Sequence, residues 1–229
     1  AKYGQEYITR FGFDADKNPP SLTLALGAGA VTPLQMAAAY SVFANGGYKI
    51  SPYMISRITD ANGKLLSEVK PDMAGDEANR AIDPRNAFLM DSMLKGVVTS
   101  GTAIKAMALK RTDLAGKTGT TNDSFDAWFA GYQPNIVGIA WIGFDQPKNL
   151  GNRETGGGLA LPIWINYMQK ALKDVPMVDR TVPEGIITVN GEYYYAESPP
   201  GLGVRNLDAG EASSPSNAPT KDEVKNELF

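Results

Sequence analysis

Three runs between Leu114 and Phe144 carry strand-like patterns within hairpin reach of one another, and they limit what the chain can become. Leu114 to Thr121, Ala127 to Tyr132 and Ile136 to Phe144 are the expected strands. The last two are separated only by Gln133-Pro134-Asn135, a connection too short for anything but an antiparallel pair. Helical patterns bracket them. In "VTPLQMAAAYSVFANGG", Thr32 is the expected N-cap, Pro33 the first helical residue and Gln35 the partner in a capping box. Met36, Tyr40 and Phe43 form its expected buried stripe, and Asn45-Gly46-Gly47 stops it. In "DPRNAFLMDSMLKGVVTSG", Asp83 and Pro84 start a second helix with Leu89, Met93 and Val97 stacked, ended by Ser100-Gly101. In "LPIWINYMQKALKDV", Trp164, Met168 and Leu172 mark a third buried stripe, with Pro176 at its end. Helices flanking antiparallel strands give an expected fold class of α/β or α+β, with one antiparallel sheet between helices.

"AKYGQEYITRFGF" reads as a short amphipathic helix with Tyr3, Tyr7 and Ile8 on one side. Residues 53–69 read as a hairpin turning at Asp60 to Gly63. Past Pro199 the chain becomes rich in Gly, Pro, Ser and mixed charge, a composition that cannot bury a core. The expected organisation is one domain over residues 1–175 and an extension over 176–229, disordered from about 199. The longest apolar run, Ile136 to Phe144, is far too short to span a bilayer. A start at Ala1 rather than Met suggests a fragment of a longer protein.

Composition narrows the chemistry. With no histidine and no cysteine, the chain has no Ser-His-Asp or Cys-His mechanism and no His/Cys zinc site, so any serine chemistry would take lysine as its base. Twenty-two basic against 25 acidic side chains, net charge -3, with no basic block, make nucleic acid an unlikely partner.

The polar run "AGKTGTT" sits at the first expected strand. A P-loop would need a glycine where Arg111 stands, and "GAGAVT" from Gly27 has Thr32 where a dinucleotide fingerprint needs its third glycine. The remaining sharp reading is a K-T-G strand at a cleft. Lys117 offers an ammonium, Thr118 and Thr120 offer hydroxyls to a substrate carboxylate, and Gly119 lets a peptide backbone approach the strand edge. The backbone N–H of Thr120 or a near neighbour could face a developing oxyanion. For the tripeptide alone, a solvated lysine before a glycine turn is the commoner explanation.

The surroundings favour the sharp reading. "KTGTTNDSFDAWFAGYQPNIVGIAWIGFD" closely resembles a segment of the bifunctional class A penicillin-binding proteins. "LALGAGAVTPLQMAAAYSVFANGGYKISPYMI", "MLKGVVTSGTA" and "GGGLALPIWINYMQKAL" resemble the segments around it, so that the likeness runs from Ala1 to about Val175. The resemblance implies the penicillin-binding transpeptidase fold, a five-stranded antiparallel sheet between helical layers. It implies peptidoglycan D,D-transpeptidase activity through a serine acyl-enzyme, with no metal or organic cofactor, on the periplasmic side of the bacterial inner membrane. It makes Lys117 catalytic and Thr118, Gly119, Thr120 and Thr121 substrate-binding. Its partners would be the D-Ala-D-Ala end of a peptidoglycan stem peptide and β-lactams. Asp126 and Trp128 match family positions too, and read more simply as a strand start and a core aromatic.

One departure is large. The family's S-x-x-K nucleophile and S-x-N element belong upstream of K-T-G, and no S-x-N occurs in the sequence. "SEVK" at Ser67 to Lys70 falls in the hairpin and "SMLK" at Ser92 to Lys95 falls within a helix, both in the wrong order, and both read as chance. The nucleophile, the membrane anchor and a glycosyltransferase domain are therefore expected before Ala1, leaving this segment inactive by itself. Water as acceptor would make the parent a D,D-carboxypeptidase or β-lactamase-like hydrolase. A noncatalytic peptide-binding module would also keep the clamp without the serine.

Overall fold

A computed structural model describes residues 1–152 and 154–201. The tail expected to be disordered falls mostly beyond them. Ala1–Ile186 forms one compact unit, and the chain from Ile187 is separate. In the first unit, helix α1 (Lys2–Ile8) leads through a loop to α2 (Pro33–Ala44). Strands β1 (Arg57–Thr59) and β2 (Leu65–Glu68) form a hairpin, followed by helix α3 (Pro84–Thr99). Strands β3 (Ala115–Thr120), β4 (Ala127–Gln133) and β5 (Ile136–Ile142) precede helix α4 (Leu161–Ala171). At the end of the described chain, β6 (Ile186–Val189) and β7 (Glu192–Tyr195) pair as a second hairpin, which sequence reasoning did not mark.

Local signals set the helix starts. The Thr32 hydroxyl accepts the Gln35 N–H, and Gln35 Oε1 accepts the Thr32 N–H, completing the capping box ahead of Pro33. Asp83 caps α3 through the Arg85 N–H, again ahead of a proline. Helix α4 buries the expected Trp164, Met168 and Leu172, though it ends at Ala171, before Pro176.

Two stripes differ from expectation. On α2 the fully buried residues are Ala39, Val42 and Ala44, small enough to let neighbours approach, while Met36, Tyr40 and Phe43 are half-buried. On α3 the buried face runs through Ala87, Asp91, Leu94 and Val98, not Leu89, Met93 and Val97, and Met93 is 60% exposed. The shift follows from Asp91. A charged residue at the centre of an apolar face hides that face from a reading based on hydrophobicity.

The sheet order is β3-β4-β5, all antiparallel. This is three of the five strands implied by the resemblance. Phe129, Ala140, Trp164, Met168 and Leu172 form the core between one sheet face and α4. Ala115 and Tyr132 pack with Ala44 and Leu94, the contact of the other face with α2 and α3. Trp164 lies so close to the sheet that a Cβ on Gly131 would come within 2.9 Å of its ring.

Two buried carboxylates tie the layers together. Asp91 accepts the Tyr132 hydroxyl at 2.9 Å and pairs with Lys95 at 3.1 Å and Arg180 at 3.7 Å. Burial, with Asp91 beside it, pushes the Tyr132 phenol well above its ordinary value, and burial moves Tyr40 up to about 12. Asp113, at the foot of β3, accepts from Arg111, from Gln133 Nε2 and from the Val178 N–H. Arg111 also donates to the carbonyls of Val175 and Pro176, and Arg180 donates to those of Phe43 and Ala44. The strap from Val175 to Arg180 is thus bound to both helical and strand layers. Among the described residues no buried side-chain nitrogen or oxygen lacks a hydrogen-bond partner.

Burial pushes the Asp113 carboxyl up, but its bonds to Arg111, Gln133 and Val178 outweigh burial and hold it below the ordinary value. A carboxylate depressed on folding adds stability above the unfolded value, near pH ~4, and loses it as pH falls through the lower folded value. Asp113→Asn should therefore lower stability near neutral pH by about 3–5 kcal/mol, because Arg111 loses its buried partner. It should also flatten part of the stability loss below about pH 4. Urea unfolding across pH checks both.

Candidate active site on the free edge of the sheet

Among the described residues, strand β3 pairs with β4 on one side only, in the register Lys117↔Ala130, Thr118↔Phe129, Gly119↔Trp128 and Thr120↔Ala127. Beyond the strand end, the Thr121 N–H donates to the Asp126 carbonyl at 3.1 Å. Hydrogen-bonded pairs alternate along an antiparallel ladder, so Gly119 and Lys117 face β4 while the N–H and C=O groups of Thr118 and Thr120 face the unpaired edge. The two-residue turn between Gln133 and Ile136 gives the same phase from the other side of β4. The sheet therefore presents a short row of backbone donors and acceptors at its K-T-G segment.

Side-chain alternation separates the lysine from the hydroxyls. Thr118 and Thr120 stand on the α4 face, with Gly116 and Phe129, and Lys117 leaves from the α2 and α3 face. Its ammonium returns to the edge, where Nζ donates to the Thr118 carbonyl at 2.9 Å. The ammonium thus lies at the strand edge, while the two hydroxyls stand on the α4 face.

Both hydroxyls already have one neighbour. Thr120 Oγ1 accepts the Gly156 N–H at 3.0 Å, and Thr118 Oγ1 lies 2.8 Å from Thr102 Oγ1. Thr102 follows α3, and Gly156 opens the turn Gly156–Ala160 that leads into α4. Neither Thr102 nor Gly156 is marked by the sequence pattern, because neither stretch carries a periodicity. Gly156 is held against the ladder so closely that a Cβ would lie 2.2 Å from the Trp128 carbonyl and 2.5 Å from that of Gly119.

Thr121, grouped with the substrate-binding residues on sequence, serves the turn. Its hydroxyl accepts the Asp126 N–H at 2.8 Å. The Asp126 carboxylate in turn accepts the Trp141 indole N–H at 2.8 Å, and Trp141 lies against Trp128 with ring centroids 5.8 Å apart. These contacts close the open end of the β3–β4 pair. Of the two S-x-x-K strings, one has its lysine, Lys95, paired with buried Asp91, and the other has its serine, Ser67, on exposed β2. Among the described residues no group of His, Cys, Asp and Glu could hold a metal ion, and no helix is long and apolar enough to cross a membrane.

Gly156→Ala should push the Gly156 turn away from β3 and cost about 1–3 kcal/mol. Gly158→Ala should cost markedly less, since its Cβ would meet only Thr155 Oγ1, at 3.3 Å. Denaturant midpoints of the two variants test this.

The chain is similar to known proteins in both sequence and fold. The family described as the penicillin binding protein transpeptidase domain matches residues 4–169. Penicillin-binding protein 1A of Neisseria lactamica is 50% identical over 217 residues, which are 93% of this chain and 27% of that protein. Penicillin-binding protein 1A of Pseudomonas aeruginosa is 45% identical over 228 residues, 80% of this chain and 28% of that protein. The chain thus spans under a third of the length of these curated relatives. The crystal structure of penicillin-binding protein 1A from Haemophilus influenzae superposes with a TM-score of 0.76 at 36% identity, covering 84% of this chain and 36% of that one. PonA1 from Mycobacterium tuberculosis superposes at 0.61 and 26% identity, over 85% and 50% of the two chains.

Proposed function

The chain belongs to the penicillin binding protein transpeptidase family, and from that premise we propose that β3 is the substrate-clamping strand of a serine D,D-transpeptidase that cross-links peptidoglycan. The observation that carries the proposal is the unpaired β3 edge, where Thr118 and Thr120 turn their backbone groups outward and Lys117 returns its ammonium. A D-Ala-D-Ala stem peptide, or a β-lactam in its place, adds to this edge as a strand adds to a sheet.

In this reading a serine outside the chain attacks the carbonyl between the two D-alanines. The Thr120 N–H helps hold the oxyanion that forms. Collapse breaks the amide bond and releases D-alanine, leaving the acyl group on the serine. The amine of a second stem peptide then takes the acyl group and the serine regains its proton. Thr118 and Thr120 hold the terminal carboxylate, since two residues along one strand face are about 6.6 Å apart. That separation brings both oxygens of a single carboxylate within hydrogen-bond reach, about 2.7 Å each. Lys117 supplies positive charge and takes part in proton transfer. The reading carries with it a parent protein anchored in the inner membrane, with its catalytic part in the periplasm and a glycosyltransferase domain of its own.

A fluorescent penicillin tests the proposal. The chain joined to its native upstream sequence should label covalently, and Lys117→Ala in that protein should label on the order of 100-fold more slowly. The 229-residue chain by itself should not label. Stable labelling of the short chain would return Ser67 or Ser92 to consideration, and no labelling of the longer protein would favour a noncatalytic peptide-binding module.

A further inference from the structure

The two clamp hydroxyls meet the rest of the protein through different chemistry, and the difference assigns a role to a residue outside the K-T-G strand. A carboxylate only accepts hydrogen bonds, so a hydroxyl that holds one must point its single proton at it. For Thr120 the direction is already settled. An amide N–H can only donate, so its 3.0 Å bond from Gly156 occupies a lone pair on Thr120 Oγ1 and leaves the proton to a second partner.

For Thr118 the partner is another hydroxyl, and either oxygen can be the donor. If Thr118 donates to Thr102, it meets an incoming carboxylate with a lone pair. If Thr102 donates to Thr118, the Thr118 proton is left for the carboxylate. The pair can therefore stand in two proton arrangements, and only one of them binds.

The surroundings hold Thr102 in place for this. Ala103, its neighbour, is fully buried and its N–H donates to the Val97 carbonyl at 3.0 Å, while the Ile104 N–H donates to that of Gly101 at 3.2 Å. A Cβ on Gly157 would lie 3.2 Å from the Thr102 carbonyl and 3.7 Å from the Thr118 methyl, so the Gly157 turn backs the pair of threonines.

We propose that Thr102 is a positioning residue for carboxylate recognition, donating its hydroxyl proton to Thr118 so that Thr118, like Thr120, presents a donor to the substrate's free acid end. The proposal rests on the transpeptidase reading above. It predicts a larger effect on an ionised acid than on an uncharged ester of the same compound, a difference that a purely structural contact would not make.

The test uses the chain joined to its native upstream sequence and two acylating compounds, a penicillin and the methyl ester of its carboxylate. Thr102→Val should lower the acylation rate constant for the acid about tenfold, and that for the ester, whose carbonyl also only accepts but carries no charge, by a smaller factor. Thr102→Ser, which restores the hydroxyl, should recover the acid rate. Equal losses on acid and ester, or an unchanged acid rate, would overturn the role of Thr102 alone. Failure of the unmutated protein to react with either compound would overturn the transpeptidase reading, and this inference with it.

Discussion

An unpaired sheet edge is a row of backbone donors and acceptors that something must satisfy, and soluble proteins generally cover, bend or charge such edges to keep other chains away. Here the open edge is short and falls at Lys117 to Thr120, with the Lys117 ammonium lying on the Thr118 carbonyl. One charge guards the edge and discourages indiscriminate strand pairing, and under the proposed function it would favour a ligand that ends in a carboxylate. The remainder of the first unit can be understood as support for that edge. Trp164 packs into a glycine-lined hollow on one face, and Tyr132 packs on the other with its hydroxyl fixed by Asp91.

The edge is supported from its ends as well. At the foot of β3, Asp113 is fixed by Arg111, Gln133 and Val178; at the tip, Thr121, Asp126 and Trp141 form a chain of bonds across the β3–β4 turn. A strand fixed in this way loses little conformational freedom when it takes a ligand, so more of the contact energy is available for binding.

Much of this was legible in the sequence, for reasons that particular residues make plain. Prolines preceded by Thr32 and Asp83 mark helix starts because the cap chemistry is local, and Pro134-Asn135 marks a hairpin because so short a loop permits few geometries. Trp164, Met168 and Leu172 keep helical period with nothing polar between them on that face. The reading slipped where distant partners decide. Asp91 belongs to a buried face only because Tyr132, Lys95 and Arg180 converge on it, and of the three only Lys95, one helical turn on, is near in the pattern. In the candidate site, the K-T-G residues were visible as a motif, but their assignment to faces needed the pairing register. Thr102 and Gly156 became relevant only when the fold brought segments 16 and 36 residues away against Thr118 and Thr120.

The strap from Val175 to Arg180 also bears on where this unit can be cut. The last helix ends at Ala171, and a boundary drawn there on secondary structure alone would seem natural. Such a trim would take the Val178 amide from Asp113, the Val175 and Pro176 carbonyls from Arg111 and the Arg180 guanidinium from Asp91. It would expose buried charge on both sides of the sheet while leaving every helix and every strand of the sheet intact. The first unit thus extends through an irregular stretch that contributes no element of its own.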